Sequence, residues 1–283
     1  MSRLLPNPAE AVRRRLAREV HALFHSSPDE PRVTRSPDAL IAQDSVAWRV
    51  HGDVTTMMVG GISALLLQML HPAALAGVWD HSNFEADMLG RLRRTARFIA
   101  VTTYAERGQA EALIERVARI HDRVAGTLPD GRHYSANDPA TLAFVHVAGA
   151  ICFLDAYIRF VEPGMSRADQ DAYFVEVAGT ARALGADPVP TTRANADALL
   201  DRFRPELGAD ARSRRVRDLI LGAAPKHLAA APLQAMLMQA AIDLLPADAR
   251  TMHALNRSFV TRPALNLATV GLSRTLRWAL ATR

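Results

Sequence analysis

The feature that most constrains this chain is an apolar run from Thr56 to Trp79. The run carries no charged side chain apart from His71 when that residue is protonated, and it contains two adjacent glycines, Gly60 and Gly61. A segment with arginines at helical spacing follows from Glu85 onward. An apolar run of this length is typical either of a membrane span or of a helix buried inside a larger protein.

A transmembrane helix is the less favoured interpretation of residues 56–79. Pro72 would kink the helix within the span, and His71 would place a polar ring near the bilayer centre. Acidic residues flank the run, and no neighbouring basic cluster would set its orientation. We therefore expect two buried helices, residues 54–70 and residues 72–79, with a bend at His71-Pro72.

The glycine pair needs a compensating contact. A glycine inside a helix costs about 1 kcal/mol relative to alanine. Close approach of another helix or of a flat ligand would offset that cost. The second alternative makes Gly60, Gly61 and His71 candidate cofactor contacts.

Composition and periodicity predict a single all-α domain over residues 1–283. Hydrophobic residues make up 49 % and charged residues 22 %, as in ordinary globular proteins. Residues 44–160 hold the unusual motifs, and residues 185–283 are expected to be a helical scaffold. Caps and breakers place the other helices near residues 7–25, 45–50, 85–104, 106–125, 138–160, 166–184, 192–203, 209–221, 231–245, 247–260 and 263–281.

Charge and cysteine usage exclude several classes of protein. The net charge is +5, and acidic residues are mixed with the basic ones without an aromatic-interleaved patch, so no nucleic-acid partner is expected. Cys152 is the single cysteine, which excludes an intramolecular disulfide or a cysteine-based metal cluster. The N-terminal segment has no apolar signal core, so a cytoplasmic location is expected.

Histidine is the residue type most able to carry chemistry here. His121 lies beside the apolar face of one predicted helix, and His146 lies inside an almost wholly apolar one. Both fit hydrogen-bonded core residues, and both fit ligands of a metal or of haem. The histidines predicted to lie at the surface or in loops are His21, His25, His133, His227 and His253.

A second constellation lies on the arginine-bearing helix. Arg91 and Thr95 are four residues apart and share a face, with Arg94 on its flank. They form either a solvated face paired with Glu85 or Asp87, or a set of groups that hold an anionic or oxygen ligand.

A long ordered motif resembles a known family. The run GDVTTMMVGGISALLLQMLHPAALAGVWDHSNF is followed by GRLRRTARF, RIHDRVAG and HYSANDPATLAFVH. Together these segments resemble the MpaB-type oxygenases, whose superfamily includes the latex-clearing, rubber-cleaving oxygenases. The resemblance implies an all-helical fold with a haem pocket between helices and a b-type haem.

The resemblance also implies roles for individual residues. His121 falls on the proximal iron ligand, Arg91 and Thr95 fall on the Arg-x-x-x-Thr helix, and Arg94 falls on the basic residue before the threonine. The family's acidic residue has only Asp80 as a counterpart, and its distal lysine has none, because the sole lysine lies far downstream. His146 is then a second axial ligand or a partner of the first.

Three functions follow as hypotheses. The first is a haem b oxygenase acting with O2 on a hydrophobic substrate, with isoprenoids as one class and a peripheral membrane contact left open. The second is a haem-binding or haem-sensing protein without turnover. The third is a metal-free helical ligand-binding protein. The sequence does not determine the oligomeric state.

Overall fold

The computed structural model describes residues 33–83, 85–222 and 231–255, together with Gly271. The predicted helices at residues 7–25 and 263–281, and three of the histidines expected at the surface (His21, His25 and His227), lie outside these ranges. The helices are α1 (Val46–Gly52), α2 (Val54–Gln68), α3 (Pro72–His81), α4 (Met88–Tyr104), α5 (Arg107–His121), α6 (Pro139–Phe160), α7 (Arg167–Ala183), α8 (Arg193–Phe203), α9 (Ala211–Leu221), α10 (Ala231–Leu244) and α11 (Ala247–Met252). One antiparallel hairpin joins β1 (Ala125–Thr127) to β2 (His133–Ser135). The predicted all-α, single-domain fold is confirmed.

The helices begin where short polar side chains can satisfy their first backbone N–H groups. Each capping side chain accepts a hydrogen bond from the amide three residues further on, which replaces a partner that the helix itself cannot supply. The caps are Ser45 for α1, Asp53 for α2, Asp138 for α6, Ser166 for α7 and Thr192 for α8.

The centre of the fold is the pair α2 and α6, which pack along each other. A Cβ placed on Gly60 would lie 2.8 Å from the backbone oxygen of Cys152 and 2.9 Å from the Cα of Phe153. Only glycine permits this approach, because the atoms that a side chain would meet belong to backbone. At Gly61 the nearest atom to an added Cβ is a ring carbon of Phe153 at 3.6 Å. Helix packing therefore explains Gly60, and no ligand is needed for it.

The apolar run is two helices, as predicted. α2 ends at Gln68, and Pro72 occupies the first turn of α3, where its missing N–H is harmless. By length and composition, one described helix, α6, is apolar enough to cross a membrane, and most of its apolar window is buried in the protein. The pair α1 and α2 passes the same test only if joined, and the two helices are bent by 87°.

The C-terminal helices complete the same core. α8 packs on α6, and α10 packs on α2 and α6. Arg193, at the start of α8, forms ion pairs with Asp155 of α6 and with Asp197. Core contacts and ion pairs therefore join the helices after residue 192 to those before residue 184.

Three expectations were wrong. The helix expected over residues 247–260 ends at Met252. The helix expected over residues 106–125 ends at His121, and the chain continues into the hairpin. His253, expected at the surface, is fully buried, and its Nε2 lies 2.8 Å from the backbone oxygen of Leu66. The reason is that α11 folds back on α2, so His253 meets a carbonyl near the end of that helix.

Candidate functional site

The site is built on the helical hairpin of α4 and α5. The two helices are joined at Ala105-Glu106 and pack against each other through Val101, Ala105 and Ala110. Arg91 lies near the start of α4, and His121 is the last residue of α5. Both residues therefore lie at the end of the hairpin away from its connection.

His121 presents a buried ring nitrogen. Its Nδ1 has no hydrogen-bond partner among the described residues. The pKa of His121 is lowered, first by burial and then by the positive charge of Arg91; Asp122 and Asn137 act in the opposite direction. The imidazole is therefore neutral at neutral pH. A neutral imidazole is the form of histidine that binds a metal ion.

Arg91 is a half-buried cation with no anion among the described residues. Among the residues that the structure describes, none forms a hydrogen bond or ion pair with its guanidinium. The pKa of Arg91 is lowered by burial and by the neighbouring charge of Arg94. A desolvated guanidinium is stabilised by a carboxylate or another anion, and none of the described side chains supplies one.

Arg94 and Thr95 lie on the exposed side of α4. The guanidinium of Arg94 is 2.8 Å from a carboxylate oxygen of Asp87, and the two side chains are 67 % and 53 % exposed. Thr95 is exposed as well. For this pair the structure matches the solvated-face alternative, so only Arg91 of the three predicted residues is placed with His121.

His146 has different surroundings. Its Nε2 is buried without a hydrogen-bond partner in the described part of the chain. Burial lowers the pKa of His146 to about 4, and the charge of Arg182 on α7 adds to the effect. Arg91 and Asp122, which act on His121, are not among the groups that act on His146. Nothing in these contacts joins the two histidines as axial partners.

His71 is committed to local structure. Its Nδ1 accepts a hydrogen bond from the amide of Ala74 at 3.4 Å, which caps α3. Its ring stacks on Phe144 with centroids 4.7 Å apart. It also lines a cavity of about 350 Å³ between the β1–β2 hairpin, α3 and the start of α6. Its Nε2 lies 3.8 Å from a carboxylate oxygen of Glu206, at the edge of this cavity.

The single upstream acidic candidate, Asp80, is held elsewhere. It accepts a hydrogen bond from the hydroxyl of Tyr134 at 2.8 Å and lies 3.6 Å from the guanidinium of Arg212. His81 contacts the same hydroxyl at 3.1 Å. These contacts attach α3 to the β1–β2 hairpin and to α9.

Sequence reasoning missed two polar residues. His51 lies between Thr103 at 2.8 Å and Tyr173 at 3.1 Å, and burial lowers its pKa to about 4. Asn137 lies beside His121 and contacts Asp122. No sequence signal marks His51. Asn137 becomes a neighbour of His121 only through the β1–β2 hairpin, which the sequence did not predict.

Comparisons with known proteins test the family resemblance. Searches of curated proteins and of solved structures gave no match. A family model described as ER-bound oxygenase mpaB/B'/rubber oxygenase, catalytic domain, matches residues 48–279, which is most of the chain. The chain therefore belongs to the mpaB/rubber oxygenase catalytic-domain family.

Proposed function

We propose that this protein is a haem b-dependent oxygenase that binds the haem iron through His121 and acts with O2 on a hydrophobic substrate. One observation carries the proposal. The neutral imidazole of His121 and the guanidinium of Arg91, which has no anion among the described residues, lie together at the open end of the α4–α5 hairpin, in a chain of an oxygenase family.

The residues present fit the requirements of haem. The iron needs a neutral nitrogen ligand, and the imidazole of His121 is neutral because burial and the charge of Arg91 lower its pKa. The propionates need a cation, and Arg91 is a cation without an anion among the described residues. When bound, the haem would supply the activation of oxygen, which no amino-acid side chain provides.

The side chains have distinct roles in this proposal. His121 would hold the cofactor from the end of α5, and Arg91 would pair with one of its carboxylates from the facing end of α4. The apolar contacts of Val101 and Ala105 with Ala110 keep α4 and α5 in a fixed relation. This packing keeps Arg91 and His121 at the same end of the α4–α5 hairpin, which would lower the cost of binding.

The experiment is an absorption spectrum of the purified protein, as isolated and after reduction. We expect a Soret band and the pyridine haemochrome of haem b. His121→Ala should abolish the band, and full haem content in that variant would overturn the assignment. A colourless protein that stays colourless after haem is added would leave the metal-free ligand-binding function.

A matched pair of arginine variants tests the second contact. Arg91→Met should weaken haem binding by about 10- to 100-fold, the effect of losing one charge-assisted hydrogen bond worth roughly 1.5–3 kcal/mol. Arg94→Met, on the same helix, should leave haem affinity unchanged because Arg94 pairs with Asp87 at the surface. Equal losses in the two variants would show a general charge effect.

One observation favours haem binding without turnover as a second candidate. Thr95 is exposed, Arg94 faces Asp87, and Asp80 is engaged by Tyr134 and Arg212. The residues implied to act on oxygen or substrate are thus exposed or already engaged by other side chains. Oxygen consumption that depends on an added isoprenoid or another hydrophobic substrate would support the oxygenase. A low-spin spectrum with two histidine ligands and no consumption would support the alternative.

A peripheral membrane contact belongs to the same proposal because a hydrophobic substrate partitions into lipid. The family description names ER-bound members. Flotation of the purified protein with phospholipid vesicles tests this contact, and protein that stays at the bottom of the gradient would remove it.

A further inference from the structure

Two buried polar atoms at the end of α5 have no hydrogen-bond partner in the part of the chain that the structure describes. One is Nδ1 of His121, and the other is the amide oxygen of Asn137. The side chain of Asn137 lies against the end of α5 that carries His121, because its nitrogen contacts Asp122, the next residue in the chain, and the backbone oxygen of Ala118 in the last turn of the helix. Buried polar atoms in proteins are nearly always hydrogen-bonded, so a pair of unpaired neighbours points to a function.

The orientation of the Asn137 amide is determined by its other contacts. Its nitrogen donates to a carboxylate oxygen of Asp122 at 2.7 Å and lies 3.5 Å from the backbone oxygen of Ala118. Both contacts are acceptors, so a flipped amide would place two oxygens against each other. The amide oxygen is therefore the atom left for the imidazole.

The β1–β2 hairpin holds Asn137 beside the end of α5. The backbone N–H of Ala136 donates to the backbone oxygen of Val124 at 2.8 Å, and the backbone N–H of Asn137 donates to the hydroxyl of Ser135 at 3.2 Å. Asp138 then caps α6. Asn137 is thus fixed between a paired strand and a capped helix, and a fixed acceptor can select one orientation of a ring.

We propose that Asn137, anchored by Asp122, accepts a hydrogen bond from Nδ1–H of His121 and so holds the imidazole in the tautomer whose Nε2 lone pair is free for the haem iron. Asn137 is a positioning residue, since it acts through His121. The iron-binding half of this inference rests on the proposed function; the hydrogen bond itself does not. Partners of this kind fix the orientation of a ligating histidine and raise its basicity.

The first test uses the full-length protein without haem. Protein labelled with ¹⁵N-histidine reports the tautomer of His121 through its two ring-nitrogen shifts. We expect the Nδ1–H form in the wild type and a shift toward the Nε2–H form in Asn137→Ala. Asn195→Ala, an exposed asparagine in the first turn of α8, is the matched control and should keep the wild-type tautomer.

A second variant keeps the test decisive if Asn137→Ala does not fold. Asp122→Ala leaves Asn137 in place and removes its anchor, so it should give a mixture of tautomers. With haem, Asn137→Ala should weaken affinity by roughly 10- to 100-fold, the usual effect of removing such a partner.

The outcomes separate the two proposals. An unchanged tautomer in both Asn137→Ala and Asp122→Ala overturns this inference, whatever the haem content of the wild type. If the variants change the tautomer but the wild-type protein never binds haem, the proposed function is overturned and the hydrogen bond is established. A tautomer change together with weakened haem binding supports both.

Discussion

Gly60→Ala tests the packing of α2 against α6. The new Cβ would lie 2.8 Å from the backbone oxygen of Cys152 and 2.9 Å from the Cα of Phe153. These distances are below normal contact, and backbone atoms of a core helix cannot swing aside as a flexible side chain can. The two helices must therefore separate along their shared surface.

The magnitude follows from two opposing terms. Adding one carbon to a well-packed core costs about 1–3 kcal/mol. Replacing glycine by alanine inside a helix returns about 1 kcal/mol. Because the added Cβ would meet backbone atoms closer than 3.0 Å, the cost lies in the upper part of that range, about 2–3 kcal/mol. We therefore expect Gly60→Ala to lower the free energy of unfolding by about 1–2 kcal/mol.

The neighbouring glycine supplies the control. In Gly61→Ala the new Cβ lies 3.6 Å from a ring carbon of Phe153, an ordinary van der Waals contact. That variant keeps the gain in helix propensity without the clash, so its free energy of unfolding should rise by up to about 1 kcal/mol. The same substitution at adjacent positions should thus act in opposite directions.

Urea unfolding followed by circular dichroism measures both variants. The midpoint should fall for Gly60→Ala and hold or rise for Gly61→Ala, with unchanged slopes. In a thermal scan each 1 kcal/mol corresponds to about 2–4 °C for chains of 150–250 residues. If Gly60→Ala is as stable as the wild type, or if both variants lose stability equally, the close approach of α2 and α6 is refuted.

Two further predictions concern polar groups of the core. Burial lowers the pKa of His51 from 6.5 to about 4. Between these two values His51 of the unfolded chain is protonated and His51 of the folded protein is not. The stability present above pH 6.5 is therefore lost as the pH falls toward 4, by at most about 3 kcal/mol. His51→Gln should flatten this dependence in urea titrations at pH 7 and pH 5, and an unchanged slope would contradict the burial argument. Arg193→Met removes the partly buried partner of Asp155 and should cost roughly 2–3 kcal/mol of unfolding free energy. Arg204→Met breaks more exposed pairs, with Asp201 and Asp248, and should cost under about 1 kcal/mol in the same assay. Similar losses at the two sites would refute the distinction.

The helix boundaries were predictable where the signal is local. Ser45, Asp138 and Thr192 each cap a helix through an amide three residues away, so the interaction is contained in a few consecutive residues. The break at His71-Pro72 is local in the same sense, because proline constrains its own backbone and that of the residue before it.

The hairpin was not predictable because its contacts are distant in sequence. Residues 118–125 contain no glycine or proline, so helical periodicity continues past the true end at His121. The structure ends α5 there, and the following residues pair across the hairpin, as in the bond from Ala136 to Val124. Strands of three residues carry too short a pattern to oppose the helical one.

The candidate site divides in the same way. Residue type and spacing on α4 predicted that Arg91, Arg94 and Thr95 are neighbours, and the family resemblance singled out His121. Helical spacing cannot state which flank of a helix is buried, since that depends on the partner helix. In the structure Arg91 is placed with His121, while Arg94 meets Asp87.

The sequence by itself determined the all-α class, the two-helix form of the apolar run and membership of an oxygenase family, because these follow from periodicity, local capping and an ordered motif. Only the tertiary structure decided that Gly60 serves helix packing, that His121 and His146 have separate surroundings, and that Asn137 lies beside His121. Each of these depends on which segments, distant in the chain, pack against one another, and local sequence patterns do not encode that packing.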